Sequence, residues 1–228
     1  MSEIERIIHL HDDKQGSHML KIGVTGGIGC GKTEVSKLLR SSGIPIIPAD
    51  LIARKLINID PWIRRKLTRA FGKNIYRPDG VLDRKMVSDI IFADSAAREK
   101  INAIVHPRVI SVEHKILDKL ARSGKFSAAG VEAALIYEAG SDRFFDVMLV
   151  VAASPATVLN RLKKRDGFNP DQMQQRIAAQ MELDEKIRRA DYVIDNSGNL
   201  DELTTKVRKF VEWLHQQFSL NINDSKRI

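Results

Sequence analysis

The sequence predicts an α/β fold: a five-stranded parallel sheet with helices on both faces, a helical insertion and a small lid. Three observations predict it. Short apolar runs bounded by glycine or polar residues recur along the 228 residues, and segments with apolar positions at helical spacing alternate with them. A glycine-dense turn, Val24-Thr25-Gly26-Gly27-Ile28-Gly29-Cys30-Gly31-Lys32-Thr33, joins the first run to the first helix. A charged, mostly helical block of residues 60–125 is too long for a plain strand-to-helix connection.

In chain order, Leu20–Val24 reads as a buried strand, and Lys32–Arg40 as a helix with Val35, Leu38 and Leu39 on one side, stopped by Ser41-Ser42-Gly43. Ile44–Ile47 gives a second strand, ending at Pro48-Ala49-Asp50, and Leu51–Ile57 a helix. The block 60–125, punctuated by Pro61, Gly72, Pro78-Asp79-Gly80 and Pro107, reads as a helical insertion packed beside the sheet. Ser127–Ile136 is the third strand and Val147–Ala152 the fourth. Ser154 at N-cap and Pro155 at N1 open the next helix, which runs to Arg165-Asp166-Gly167. Charged helices over 170–181 and 184–190, a fifth strand over Asp191–Ile194, and an amphipathic helix over 200–217 complete the core. The domain is expected over 19–218, its core about 19–59 and 126–218, its lid about 161–190, with a polar tail at 219–228. Residues 1–18 read as an extension that is either added or poorly ordered.

Composition excludes several classes. One cysteine, Cys30, rules out an internal disulfide or a cysteine-based zinc site and fits a reducing compartment, so a cytoplasmic location is expected. No apolar run approaches 18 residues, and no secretory apolar segment is visible near the N-terminus, so no membrane partner is expected. Lys and Arg outnumber Asp and Glu by 37 to 29, which suits a generic basic surface or an anionic partner. Six per cent aromatics without basic–aromatic interleaving argue against a nucleic-acid stacking platform, so phosphorylated small molecules are the favoured anions.

Gly26-x-x-x-x-Gly31-Lys32-Thr33 matches the P-loop pattern in its proper strand–turn–helix context, which makes the expected fold P-loop NTPase-type. Backbone N–H groups of Gly27, Gly29, Cys30 and Gly31 would face phosphate oxygens at the helix N-terminus. Lys32 would reach the β and γ oxygens, and the Thr33 hydroxyl would ligate Mg²⁺. Cys30 reads as a small spacer or as a thiol activated by the helix end. No N-K-x-D base reader and no apolar run ending in Asp-Glu is present, which leaves small-molecule kinases. Asp50, at the carboxyl end of a strand, can accept a hydroxyl proton, hold Mg²⁺ through water, or cap the following helix. Arg161 and Arg165 share a helix face and form either a lid over the triphosphate or a solvated stripe. His106, after Ile101, Ile104 and Val105, is structural unless it recognises a hydroxyl.

Taken together, "VTGGIGCGKTEV", "IIPADLIAR", "DGVLDRKMVSDIIF", "INAIVHPRV", "ALIYEAG", "FDVMLVV", "RLKKRDG", "RIAAQ" and "ADYVIDNSG" resemble dephospho-coenzyme A kinase over about Leu20–Leu214. The resemblance implies transfer of the ATP γ-phosphoryl to the ribose 3′-hydroxyl of dephospho-coenzyme A, with ATP and Mg²⁺ required. Another nucleoside or nucleotide kinase with the same loop and lid is the alternative. The resemblance implies ATP contacts at Gly27, Gly29 to Thr33, Glu34, Arg161, Arg165 and Asn196, catalytic roles for Asp50, Lys32 and Arg165, and acceptor contacts at Asp50, Arg54, His106, Leu135 and Tyr137. It makes block 60–125 the coenzyme A-facing, acceptor-binding insertion, in a monomer or small homo-oligomer. Two positions depart from the family pattern: Pro48 replaces the first Asp of Asp-Ala-Asp, and Ala134-Leu135-Ile136 replaces Pro-Leu-Leu.

Overall fold

The computed structural model describes residues 19–166 and 170–220, without the side chains of 91–93, 165, 166, 170–172 and 175. Residues 1–18, 167–169 and 221–228, which include the expected extension, part of the lid and most of the tail, lie outside the described residues.

Five strands form one parallel sheet in the order β2-β3-β1-β4-β5: β1 Leu20–Gly26, β2 Ile46–Pro48, β3 Ala128–Glu132, β4 Val147–Ala152 and β5 Tyr192–Asp195. Registers Ile22↔Gly130, Val24↔Leu149 and Val150↔Val193 fix β1 in the middle. Because strand side chains alternate between faces, β4 feeds two cores. Leu149 and Val151 pack with Val35 and Leu39 of α1 (Lys32–Ser41), together with Leu203, Val207 and Phe210 from the last helix. Met148 and Val150 pack instead with Ile136, Tyr137, Leu183 and Ile187. Tyr192 of β5 packs tilted against Phe210 and Trp213, which stack on each other, at centroid separations of 5.0–5.9 Å.

The chain divides into two compact units: the sheet unit, residues up to Ile47 and from Ile116 onward, and a helical unit, Pro48–Lys115. The helical unit holds α2 (Ala49–Ile59), α3 (Pro61–Phe71), α4 (Arg84–Ala93) and most of α5 (Ser95–Arg122). Asp60 caps α3, its Oδ1 accepting from the N–H groups of Trp62 and Ile63 at 2.8 and 3.0 Å, while Arg108 donates to Oδ2. In the sheet unit follow α6 (Pro155–Asp166), α7 (Pro170–Ala178), α8 (Leu183–Arg188) and α9 (Leu200–Phe218). Ser154 Oγ accepts from Thr157 N at the start of α6, and Asn199 Oδ1 from Glu202 N at the start of α9.

Three local expectations change. The third strand ends at Glu132, because Ala134–Gly140 forms a turn whose apolar residues Ile136 and Tyr137 are buried by tertiary packing. Pro107 does not punctuate: α5 runs through it for 28 residues. One missing N–H bond is tolerated because Val105, Val109, Ile116, Leu117 and Leu120 make a continuous buried stripe along the helix. Asp50 does not cap α2; it is the second helical residue, and the N-cap position is Pro48 with no side-chain cap bond.

Glu113 lies on that apolar stripe of α5 and is only 5% exposed. Burial pushes its carboxyl up to about 7. The folded state therefore holds a proton that the unfolded chain releases near pH 4.5, so stability declines as pH rises from about 4.5 through about 7. The full loss is about 3 kcal/mol. Glu113→Gln is expected to remove this slope. Urea unfolding at pH 5 and pH 8 checks it: the variant should gain on the parent by about 2–3 kcal/mol between the two, and a pH-independent difference would contradict it.

Candidate active site

The phosphate loop leaves β1 at Gly26 and enters α1 at Lys32. Two glycines are demanded by their surroundings. Gly26 has φ +148, and a β-carbon there would collide with Val151 O. Gly31 has φ +88, and a β-carbon would collide with Asn196 Nδ2. The Lys32 ammonium folds back along the loop, donating to Gly26 O at 3.1 Å and Gly27 O at 3.0 Å. Its charge is thereby fixed beside the loop's first half.

The far side of the loop is braced. Asn196, buried after β5, donates from Nδ2 to Cys30 O at 2.8 Å, and its backbone N–H bonds Ala152 O at 2.7 Å. Arg161 donates to Gly29 O and Cys30 O at 3.4 and 3.3 Å and to Asn196 O at 2.9 Å. Arg161 and Asn196 thus clamp the loop's carbonyls, which leaves the loop's conformation fixed from behind. Arg165 lies in α6, but its side chain is outside the described residues. Cys30 is 1% exposed; burial raises its thiol despite the charges of Lys32 and Arg161, so it is a packed spacer rather than an activated nucleophile.

Thr33 Oγ1 donates to Glu132 Oε1 at 2.7 Å. Glu132 was not singled out from the sequence, because one acidic residue inside an apolar run carries no motif. A signal was nevertheless present: an acid at the carboxyl end of a strand, the edge where such sheets bind ligands. Glu34 pairs with Lys37 at 3.0 Å. Ile28 N–H donates to Gln180 Oε1 at 3.0 Å.

The turn after β3 carries Leu135, half-buried, and Tyr137, buried. Tyr137 donates its hydroxyl to Arg189 O at 3.0 Å, and burial pushes its pKa up to about 12, although the Arg189 guanidinium, 4.4 Å over the ring, opposes the shift. Lys186 of α8 is wholly buried, donating to Ala134 O at 2.7 Å and pairing with Glu138 at 2.8 Å. In the helical unit, Asp50 and Arg54 are one turn apart on α2, both exposed, and His106 is half-buried on α5.

This sheet and this loop define a nucleotide-binding protein of the P-loop class. The family model for dephospho-CoA kinase matches residues 20–202. The dephospho-CoA kinase of Geobacter sulfurreducens is 40% identical over 188 residues, covering 82% of this chain and 95% of its own. That of Symbiobacterium thermophilum is 41% identical over 186 residues, covering 82% and 77%. The chain belongs to the dephospho-CoA kinase family. Among solved structures, the Thermus thermophilus protein TT1252 superposes with a TM-score of 0.72 at 30% identity, covering 87% of this chain and 99% of its own. Dephospho-CoA kinase from Campylobacter jejuni gives 0.61 at 26%, covering 86% and 97%.

Proposed function

We infer that this protein transfers the γ-phosphoryl group of ATP to the ribose 3′-hydroxyl of dephospho-coenzyme A, giving coenzyme A and ADP. The observation that carries the phosphoryl chemistry is the braced loop with Lys32 anchored on Gly26 O and Gly27 O. A backbone cradle braced by Arg161 and Asn196 suits a reaction dominated by positioning and charge stabilisation.

The residues fit Mg²⁺. Thr33 and Glu132 present a hydroxyl and a carboxylate oxygen 2.7 Å apart, a hard-oxygen pair. Among the described residues no cluster of three His, Cys, Asp or Glu is present, in keeping with an ion that takes few protein ligands plus phosphates and water. Thr33 and Glu132 would hold it, and when bound it neutralises charge on the β and γ oxygens.

Asp50 is assigned the general-base role: its carboxylate takes the 3′-hydroxyl proton while the ribose oxygen bonds the γ-phosphorus and the bond to the bridging oxygen breaks. Lys32 and Arg165 stabilise the charge that accumulates. Arg161 and Asn196 hold the loop beneath the phosphates, with Asn196 beside the adenine. Arg54, His106, Leu135 and Tyr137 are assigned to the acceptor side, and block 60–125 to coenzyme A. We place the reaction in the cytoplasm, since the chain's one cysteine, Cys30, is a free thiol, which suits a reducing compartment.

Incubation with ATP, Mg²⁺ and dephospho-coenzyme A is expected to yield coenzyme A and ADP in equal amounts, read by chromatography. Phosphorylation of a nucleoside from a parallel panel, with no coenzyme A formed, would replace this reading with that of another nucleoside kinase.

A further inference from the structure

Ile28 is one of the phosphate loop's own residues, yet its N–H donates to a side chain 152 positions away, Gln180 Oε1, at 3.0 Å. Only the oxygen of the carboxamide can face that N–H, because the backbone group can only donate. A neutral oxygen thus accepts from a loop N–H of the kind that otherwise binds a phosphate oxygen.

The segment carrying Gln180 is held in place independently of this bond. Gln180 N bonds Ile177 O at the end of α7, and Met181 N donates to Glu138 Oε1 at 2.8 Å. Lys186, one turn into α8, is fixed on Ala134 O and Glu138. A β-carbon built at Gly27 would stand 4.0 Å from Leu183 Cδ1, so residues 180–183 lie against the loop's first half. The Lys32 ammonium is bonded to that same half. The backbone that delivers the carboxamide to the loop is held by this scaffold.

We propose that Gln180 is a phosphate-positioning residue of this kinase, reading the terminal phosphoryl group of ATP together with the Ile28 N–H. A carboxamide carries an acceptor and two donors on one planar group. When a phosphoryl oxygen takes the Ile28 N–H, rotation of the carboxamide withdraws Oε1 and presents Nε2–H to the same oxygen. No covalent step is involved; one N–H changes acceptor and one amide turns. The proposal rests on the kinase reading for its substrate, and places the γ-phosphoryl between a backbone donor and a side-chain donor at Ile28, whereas Arg161 and Asn196 hold the carbonyls of Gly29 and Cys30.

The test measures affinities of ADP and of the β,γ-imido analogue of ATP for the full chain, alongside turnover. Gln180→Ala is expected to weaken the analogue about tenfold while ADP changes less than about twofold, and to lower kcat about tenfold. Gln180→Glu keeps an acceptor for Ile28 N–H but adds a negative charge, so it should weaken the analogue further than alanine does, again sparing ADP. ADP affinity serves as the control for an intact loop. Equal weakening of both nucleotides, or no change in either, would overturn the proposal and leave Gln180 a structural brace or a bystander. Tighter analogue binding with unchanged kcat would also overturn it, by making the residue a competitor of phosphate. If the parent binds both nucleotides but forms no coenzyme A, the substrate reading fails while the ADP-to-analogue ratio still decides the role of Gln180.

Discussion

Replacing Lys32 with methionine is expected to lower kcat/KM by a factor of about one hundred to one thousand, the loss typical of removing one preorganised donor from a developing charge. Methionine keeps much of the stem's volume and removes only the ammonium. That ammonium does two things. It donates to Gly26 O and Gly27 O, holding the first half of the loop, and on the proposed reading it supplies a positive charge where the β and γ oxygens bind. Loss of the first effect alone would weaken ADP and ATP alike. Loss of the second falls mainly on kcat, because charge on the transferring group is redistributed in the transition state. Steady-state kinetics combined with titration calorimetry separates them. A turnover within about tenfold of the parent would remove Lys32 from the catalytic machinery. Lys32→Arg should not restore activity fully, since a planar fork cannot occupy the place of a compact ammonium bonded to two adjacent carbonyls.

Asp50→Asn is expected to reduce kcat by about a hundredfold to ten-thousandfold, the range for removing a general base, while nucleotide affinity stays within about twofold. The structure sharpens this experiment. Were Asp50 the N-cap of α2, the substitution would confound catalysis with stability. It is instead the second residue of the helix, exposed, and the N-cap position is Pro48 without a side-chain bond. The stability change should therefore be limited to a lost charge at a helix start, about 0.3–1 kcal/mol. A thermal midpoint near that of the parent with turnover nearly abolished is the expected pair of results. Full turnover in Asp50→Asn would exclude it as the base.

Legibility in the sequence followed how local each cause was. Val147–Ala152 is legible residue for residue, because a continuous apolar run buried on both faces has one interpretation in a parallel sheet. The run Ala133–Ile136 has a similar composition, yet it leaves the sheet, since Ile136 and Tyr137 are buried against Met148 and Val150 from a turn. Apolarity signals burial, and the choice between strand and turn at that point is made by what packs above. Pro107 failed as punctuation for the same reason, a buried stripe on both sides of it outweighing one absent hydrogen bond. Asp50 at a strand end suited both cap and base from sequence, and only the backbone placed it inside the helix.

The sequence by itself determined the phosphate loop. Its glycines, Lys32 and Thr33 are neighbours along the chain, and glycine at positions 29 and 31 admits the left-handed backbone found there without a β-carbon penalty. The order of motifs likewise specified the family. Tertiary structure decided what surrounds the loop: Glu132 on the Thr33 hydroxyl, Asn196 and Arg161 on its carbonyls, and Gln180 on the Ile28 N–H. These partners stand 99 to 166 positions from the loop residues they touch. Glutamate, asparagine, arginine and glutamine bond whatever the fold brings within about 3 Å. That proximity is set by strand order and helix packing, which no local pattern encodes.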